Sequence, residues 1–190
     1  DAGIVDLLVA RMSELPPGAQ RPLVALAAAG QRAEISLLSN VLRVPPATVL
    51  RSIRPAVEQG LVVVEGTFVA WPKPPRRLRA RARPRRPQTA RARGRRSDAH
   101  GHLVLRFAHD RIQQAAYALL PEPERAPLHA SLGLTLLASA EPERMIRGVD
   151  QCLLGEAALV EPRPAAWVAG RARLAATLAS RGVAHRQAAR

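Results

Sequence analysis

Hydrophobic residues recur every three or four positions along most of this chain, a spacing typical of amphipathic helices. In the first sixty residues the pattern predicts four helices separated by proline and glycine. Their apolar positions fall, in order, within Ile4 to Leu15, Leu23 to Ala29, Leu37 to Leu42 and Val49 to Val57. The N-terminal part of the chain is therefore expected to be a small helical domain.

Residues that open or close helices mark the ends of these segments. Gly30 is expected to follow the second helix, Ser36 to cap the third, and Pro45-Pro46 to open the fourth. Pro55 lies inside the fourth segment. Because proline lacks a backbone donor and crowds the preceding turn, it predicts a kink or an early end near Arg54.

The pattern changes after residue 60 to short runs of β-branched residues. Leu61 to Val64 and Thr67 to Trp71 flank Glu65-Gly66, which predicts two strands around a tight turn. Leu103 to Phe107 predicts a strand that returns to them. Short helices followed by such strands have the winged-helix order. Residues 1–71 together with 102–120 are thus expected to form a winged-helix-like domain with a small β-hairpin.

The third part of the chain, residues 121–190, is again helical by pattern. Three helices are expected, the last opened by Pro164 and stopped by Gly182. The first is marked by Leu128, Leu132 and Leu136 and the second by Met145, Ile146, Val149 and Leu153. The third has Trp167, Arg171, Leu174 and Leu178 on one side. Together these features resemble the truncated start of a tetratricopeptide-like α-solenoid, in which each antiparallel helix pair buries its face against the next. The chain as a whole is expected to be mainly α.

Most of the formal net charge of +14 lies in one segment, because residues 73–96 contain 12 of the 29 basic residues and no acidic one. Residues 72–101 are rich in Arg and Pro and nearly free of apolar residues, so a disordered insertion is expected. It could bind nucleic acid, anionic lipid or an acidic partner without sequence specificity, or simply be solvated. The candidate anion-binding residues are Arg76, Arg77, Arg79, Arg81, Arg83, Arg85 and Arg86.

Catalytic machinery is missing from the sequence. There is no phosphate-binding loop of the Gly-x-x-x-x-Gly-Lys-Ser/Thr type, no kinase catalytic loop and no metal-binding Cys/His cluster, so no catalytic or metal residues are assigned. His100 and His102 are interpreted as a loop pair. Cys152 is the only cysteine and is expected to be a buried thiol, which favours a reducing, cytoplasmic setting.

One motif carries candidate chemistry. Ala108-His109-Asp110 joins the predicted strand ending at Phe107 to a helix with apolar positions at i, i+3, i+4 and i+7. An Asp at or near an N-cap accepts hydrogen bonds from free backbone N–H groups, and a helix N-terminus favours anions. His109 and Asp110 could therefore contact an anion or simply cap the helix.

The segment Phe107 to Tyr117, with Glu124 to His129, resembles the region after the nucleotide-binding core of bacterial STAND-class signalling ATPases. Such proteins often also contain a Ser/Thr protein kinase or a sensor histidine kinase domain. The resemblance implies that His109, with Asp110, senses nucleotide by contacting the phosphate of ADP, although Ala108 replaces the family's Met. His129 matches the family motif by position. ATP or ADP with Mg²⁺ is implied for the parent protein, not for this chain alone.

Two functions remain open at this point. The chain is either a regulatory and interaction segment of a signalling ATPase, coupling nucleotide state to output, or a winged-helix transcriptional regulator that binds DNA with a basic arm. In the first, its partners are an upstream ATPase core, downstream signalling domains and proteins bound by the helical repeats. No apolar run is long enough to span a membrane, and Asp1-Ala2-Gly3 suggests a fragment.

Overall fold

The structure of the protein is a computed structural model that describes residues 2–67, 70–72, 100–159 and 162–188. Within these residues the chain is mainly helical, with eight α-helices and a small three-stranded antiparallel sheet. It divides into two compact units, an N-terminal unit (Asp1–Leu119) and a C-terminal unit (Leu120–Arg190). None of the helices in the described residues is both long and apolar enough to cross a bilayer.

The elements of each unit follow in chain order. The N-terminal unit contains α1 (Ala2–Ser13), α2 (Pro17–Ala29), β1 (Arg32–Glu34), α3 (Ile35–Leu42), α4 (Pro46–Glu58), β2 (Val62–Glu65), β3 (Val104–Phe107) and α5 (Asp110–Ala118). The C-terminal unit contains α6 (Glu122–Leu137), α7 (Pro142–Leu154), a 3₁₀ turn (Glu156–Ala158) and α8 (Pro162–Ala188).

The sheet has the order β1-β3-β2, and both outer strands are antiparallel to β3. Val62 lies opposite Phe107, so β3 is the returning strand that the sequence predicts. The strand expected at Thr67 to Trp71 is wrong where it can be assessed, because Thr67 and residues 70–72 are not in a strand and residues 68–69 lie outside the described residues. The partner of β2 comes from beyond the basic segment instead.

Charged residues on the sheet are arranged around one carboxylate. Arg32 lies directly opposite Arg106 across β1 and β3, a pairing that would be repulsive alone. Glu65 offsets it, since its Oε1 is 2.7 Å from Arg106 Nε and its Oε2 is 3.6 Å from an Arg32 guanidinium nitrogen. These side chains are partly exposed, so the cluster fixes strand register more than it adds stability.

The core of the N-terminal unit lies between the helices and one face of the sheet. Its largest fully buried side chains are Met12, Leu23, Leu26, Ile35, Leu38, Leu50, Ile53, Leu61, Leu103, Leu105 and Phe107. The end of α1 is closed by Gln20, whose Nε2 donates to the carbonyls of Ser13 and Leu15 at 3.0 and 2.9 Å. Gly30 follows α2 with φ +123°, which confirms its expected place at the helix end.

An expected helix cap and an expected early helix end in this unit are both wrong. Ser36 does not cap α3, because the helix begins at Ile35 and the N-cap is Glu34; the Ser36 hydroxyl donates to the Glu34 carboxylate at 2.9 Å. Pro55 does not end α4 near Arg54, because the helix continues to Glu58. The lost backbone hydrogen bond is offset by packing, since residues on both sides of Pro55, including Ile53 and Ala56, are fully buried.

Helices α6 and α7 approach each other where glycines replace side chains. A Cβ on residue 133 would lie 2.9 Å from the carbonyl oxygen of Gly148, and one on residue 148 would lie 2.9 Å from the backbone nitrogen of Leu137. At Gly155, after α7, a Cβ would lie 2.8 Å from the carbonyl oxygen of Ala126. These positions leave no space for a methyl group, so the backbones are in direct contact.

The buried faces of α7 and α8 agree in part with those predicted, because Met145, Val149 and Leu178 lie in or against the core as expected. Met145 and Cys152 are buried on α7, whereas Ile146 and Leu153 are exposed. On α8 the buried residue is Ala175, packed with Val168 and Leu178, while Trp167 and Leu174 are exposed. On α7 the close approach to α6 selects the buried face, because Gly133 and Gly148 leave no space for a side chain there.

The boundaries of α8 also differ from the prediction. The helix begins at Pro162 rather than Pro164, and it continues through Gly182 to Ala188. A single glycine costs a helix about 1 kcal/mol relative to alanine, which is too little to end a helix flanked on both sides by good helix formers.

Candidate functional site

His109 stands at the junction between β3 and α5. It is extended (φ −154°, ψ 151°) and is the N-cap of α5, its Nδ1 accepting a hydrogen bond from the backbone N–H of Arg111 at 3.2 Å. Asp110, which the sequence places at or near the cap, is the first residue of the helix. The imidazole therefore takes the capping role that serine, threonine or aspartate more often has.

The capping bond fixes the protonation pattern of the ring. A nitrogen that accepts a hydrogen bond carries no proton, so neutral His109 holds its proton on Nε2. That is the only hydrogen bond of the His109 side chain within the described part of the chain, and the residue is exposed. Nε2–H is consequently available to donate to a ligand while Nδ1 caps the helix.

Asp110 acts on the same helix end by charge. It lies in the first turn of α5, where a carboxylate stabilises the helix through the dipole and through proximity to free N–H groups. The same negative charge disfavours a bare anion at this end. In a phosphate contact, His109 is therefore the donor, and Asp110 stabilises the helix that presents it.

Hydrogen bonds fix the backbone before His109 and the helix after it. In the chain just before it, the N–H groups of Phe107 and Ala108 donate to the carbonyls of Gln31 and Leu61, each at 3.1 Å. After it, Gln113 Nε2 donates to the carbonyl of Ala27 at 3.2 Å. His109 thus lies at a strand-to-helix junction that is hydrogen-bonded to other elements of the unit on both sides.

Helix α5 packs against α1 and α2 through its small residues. Ala115 and Ala116 are fully buried at this contact, which confirms the apolar face predicted for the helix. Since these residues are alanines, α5 lies close to its neighbours and has little room to shift.

Helix α4 is the element that would read DNA in the alternative interpretation. Its exposed Arg54 is paired with Glu58, Nε to Oε1 at 2.7 Å, and its guanidinium lies 5.6 Å from the ring centroid of Trp71. Arg51 donates to Thr48 Oγ1 at 2.9 Å within the same helix. Both arginines of α4 are therefore engaged within the protein, and Glu58 adds a charge that repels phosphate.

His129 and Cys152 are both buried in the C-terminal unit. His129 is 4% exposed, and its Nδ1 donates to Gln151 Oε1 at 2.7 Å, joining α6 to α7. Cys152 is buried as predicted, and burial raises the pKa of its thiol. Neither side chain is placed for contact with a ligand.

His102 lines an open, polar cleft in the N-terminal unit, of about 450 Å³. The other lining residues are Glu34, Ser36, Ser39, Asn40, Pro46 and Gly101. In the portion of the chain that the structure covers, no three His, Cys, Asp or Glu residues are grouped to hold a metal ion. The candidate anion-binding residues Arg76, Arg77, Arg79, Arg81, Arg83, Arg85 and Arg86 lie outside the described residues.

Comparisons of the chain with protein-family models, with curated proteins and with solved structures found no match.

Proposed function

We propose that this chain is a regulatory and interaction segment of a bacterial STAND-class signalling ATPase, in which His109 contacts the phosphate of a nucleotide bound by the ATPase core of the same polypeptide. The observation that carries the proposal is the state of the His109 ring. One tautomer serves both roles, with Nδ1 capping α5 and Nε2–H exposed as a donor. In this proposal ATP or ADP with Mg²⁺ is held by the core, and this chain supplies one contact.

The N-terminal unit is assigned, as part of the same proposal, to the winged-helix class. Its support is the chain order, in which α3 and α4 lie between β1 and β2, and β3 returns between the two strands. In this assignment the basic segment is an expanded wing.

The C-terminal unit is assigned to the start of a helical repeat array that binds proteins or adjoining domains. The supporting observation is the backbone contact between α6 and α7 at Gly133 and Gly148. Antiparallel helix pairs with such close contacts stack to form α-solenoids, whose extended surfaces recognise partners. Coupling of nucleotide state to a downstream kinase or other output domain would use these surfaces.

The alternative of a DNA-binding regulator is less well supported by the contacts of α4. A reader helix needs exposed cationic or amide groups directed at base edges. Arg54 is instead paired with Glu58, and its guanidinium lies 5.6 Å from the ring centroid of Trp71. Polyanion binding by this chain is therefore assigned to the basic segment.

The proposal is tested by His109→Asp and His109→Ala in the polypeptide that joins this chain to its ATPase core. Sequencing the reading frame around the chain identifies that core by a phosphate-binding loop and a Walker B acid. Aspartate is a good N-cap but replaces the donor by a negative charge, so His109→Asp should keep the stability of α5 and lose ADP affinity. Isothermal titration with ADP and basal output activity are the measurements.

His109→Ala removes both the helix cap and the hydrogen-bond donor. His109→Ala should lose about 0.5–2 kcal/mol of stability through the missing cap, in addition to ADP affinity. Basal signalling should rise in both variants if ADP holds the protein closed. Unchanged ADP affinity in His109→Asp would reject the phosphate contact and leave His109 as a helix cap only.

A further inference from the structure

A small pocket in the N-terminal unit lies between α2, the end of α3 and the first half of α4, and its volume is about 140 Å³. Its apolar lining comes from Pro22, Leu42, Val44 and Val49, of which Pro22 and Val49 are buried. An apolar cavity of roughly 150 Å³ inside a protein can hold one benzene molecule. The apolar part of a ligand for this pocket is therefore limited to about one six-membered ring or a branched aliphatic group of that size.

Three polar side chains line the same pocket, and all three can donate hydrogen bonds. Arg21 comes from α2, and Thr48 and Ser52 lie one turn apart on α4. Thr48 Oγ1 accepts a hydrogen bond from Arg51 at 2.9 Å, which leaves the hydroxyl hydrogen of Thr48 to donate. Within the residues that the structure describes, the side chains of Arg21 and Ser52 have no hydrogen-bond or ion-pair partner. The pocket thus combines an apolar lining with three donors that a ligand can use.

Charge selects between the possible kinds of ligand. Among the described residues that line the pocket, Arg21 is the one with a charge, and it is exposed. A cation would be repelled by its guanidinium, and a bare inorganic anion would gain nothing from the apolar lining. A guanidinium forms two parallel hydrogen bonds with a carboxylate, which is the best geometric match among common anionic groups of organic molecules. The pocket therefore favours a carboxylate that is attached to a small apolar group.

We propose that this pocket binds a carboxylate joined to an apolar group of about the size of benzene. The apolar group lies against Pro22 and Val49, and the carboxylate accepts hydrogen bonds from Arg21 and from the hydroxyls of Thr48 and Ser52. Two sources present this chemistry: a small organic acid, and the C-terminal residue of a peptide. The lining residues come from α2, α3 and α4 and not from the junction that presents His109, so this site is independent of the proposed nucleotide contact.

The test is an NMR titration of the isotope-labelled full chain at constant ionic strength. Benzoate is the probe, benzyl alcohol has the ring without the charge, and acetate has the charge without the ring. Benzoate should shift the backbone amide signals of Gly18, Arg21 and Ser52 saturably, with a dissociation constant on the order of 1 mM. Benzyl alcohol and acetate should each bind about tenfold more weakly or less, because each lacks one part of the recognition.

Variants of the lining residues test the two parts of the pocket. Arg21→Met should weaken benzoate binding about tenfold and leave benzyl alcohol binding unchanged. Arg43→Met is the matched control, because Arg43 is exposed and adjacent in the chain to Leu42 but does not line the pocket. Ser52→Leu should abolish binding of both aromatic probes by filling the space. If Ser52→Leu fails to fold, the comparison of Arg21→Met with Arg43→Met decides the question.

A short peptide ending in phenylalanine, made with a free carboxylate or with a C-terminal amide, distinguishes the two sources. Tighter binding of the free-acid peptide than of benzoate would assign the pocket to a peptide C-terminus, whereas equal or weaker binding would assign it to a small organic acid. The proposal is overturned if benzoate gives no saturable shift at the pocket amides, or if benzyl alcohol binds as tightly as benzoate. Equal effects of Arg21→Met and Arg43→Met on benzoate binding would overturn it as well.

Discussion

Replacing Gly133 by alanine tests the contact on which the C-terminal unit is built. The new methyl group would meet Cys152 Sγ, and it would lie 2.7 Å from the backbone nitrogen of Cys152 and 2.9 Å from the carbonyl oxygen of Gly148. The sulfur can rotate, but the two backbone atoms cannot. α6 and α7 must therefore move apart to accept the substitution.

The expected cost follows from two opposing effects. Overpacking a close contact typically costs about 1–3 kcal/mol, and the backbone partners place this case toward the upper end. The helix propensity of alanine returns about 1 kcal/mol, so the net loss should be about 1–2 kcal/mol. Gly170→Ala is the matched control, because the same substitution in α8 meets nothing within 4 Å and should stabilise the unit by about 0.5–1 kcal/mol.

The assay is equilibrium unfolding in urea of both variants in a Trp71→Phe background. Trp167 fluorescence then reports on the C-terminal unit, and circular dichroism at 222 nm reports on both units. The two glycine variants should differ by about 1.5–3 kcal/mol, or roughly 6 °C or more in Tm for a unit of this size. If Gly133→Ala is as stable as Gly170→Ala, the helices do not make the backbone contact described here.

Three further outcomes are expected. Arg171→Met should destabilise the C-terminal unit by about 1–3 kcal/mol in urea unfolding, since it removes donors to two carbonyls at the end of α6, whereas Arg173→Met should change stability little. Burial raises the pKa of the Cys152 thiol, so above about pH 8.5 the native state keeps a proton that the unfolded chain loses. The wild-type protein should therefore lose stability relative to Cys152→Ala as the pH rises above that value. Equal pH profiles of stability for the two proteins would contradict this. Salt-sensitive retention of the chain on DNA should disappear when residues 73–96 are deleted and persist in Arg54→Ala; the reverse pattern would assign DNA binding to α4.

Helices could be predicted from the sequence where apolar residues repeat at helical spacing over several turns. The four N-terminal helices and α6 and α7 have that pattern, and their positions agree with the structure to within a few residues. The strand β1 could not be predicted in the same way. It has three residues and pairs with β3 more than seventy residues later, so neither alternation nor local composition marks it.

The errors in predicting the buried faces and the ends of helices have a common physical origin. On α7 the larger side chains Ile146 and Leu153 suggest the core, but the position next to each is buried because Gly133 and Gly148 bring α6 into contact there. Periodicity identifies an apolar face to within about one residue, and the tertiary contact selects which residue points inward. At Pro55, too, tertiary packing outweighs a local preference, since packing on both sides maintains the helix through a residue that disfavours it.

The candidate site was predictable in part, because its two residues are adjacent and the strand-to-helix change is visible in the sequence. Which of them caps α5 could not be predicted, since aspartate is the commoner cap and only the three-dimensional structure places His109 Nδ1 at the Arg111 N–H. That His109 and not Asp110 caps the helix matters for the proposed function. If Asp110 were the cap, the His109 ring would be free to adopt either tautomer and to rotate. As the cap, His109 has Nδ1 committed and its proton on Nε2, so a phosphate contact needs no rearrangement of α5, and His109→Asp separates capping from ligand binding in a single substitution.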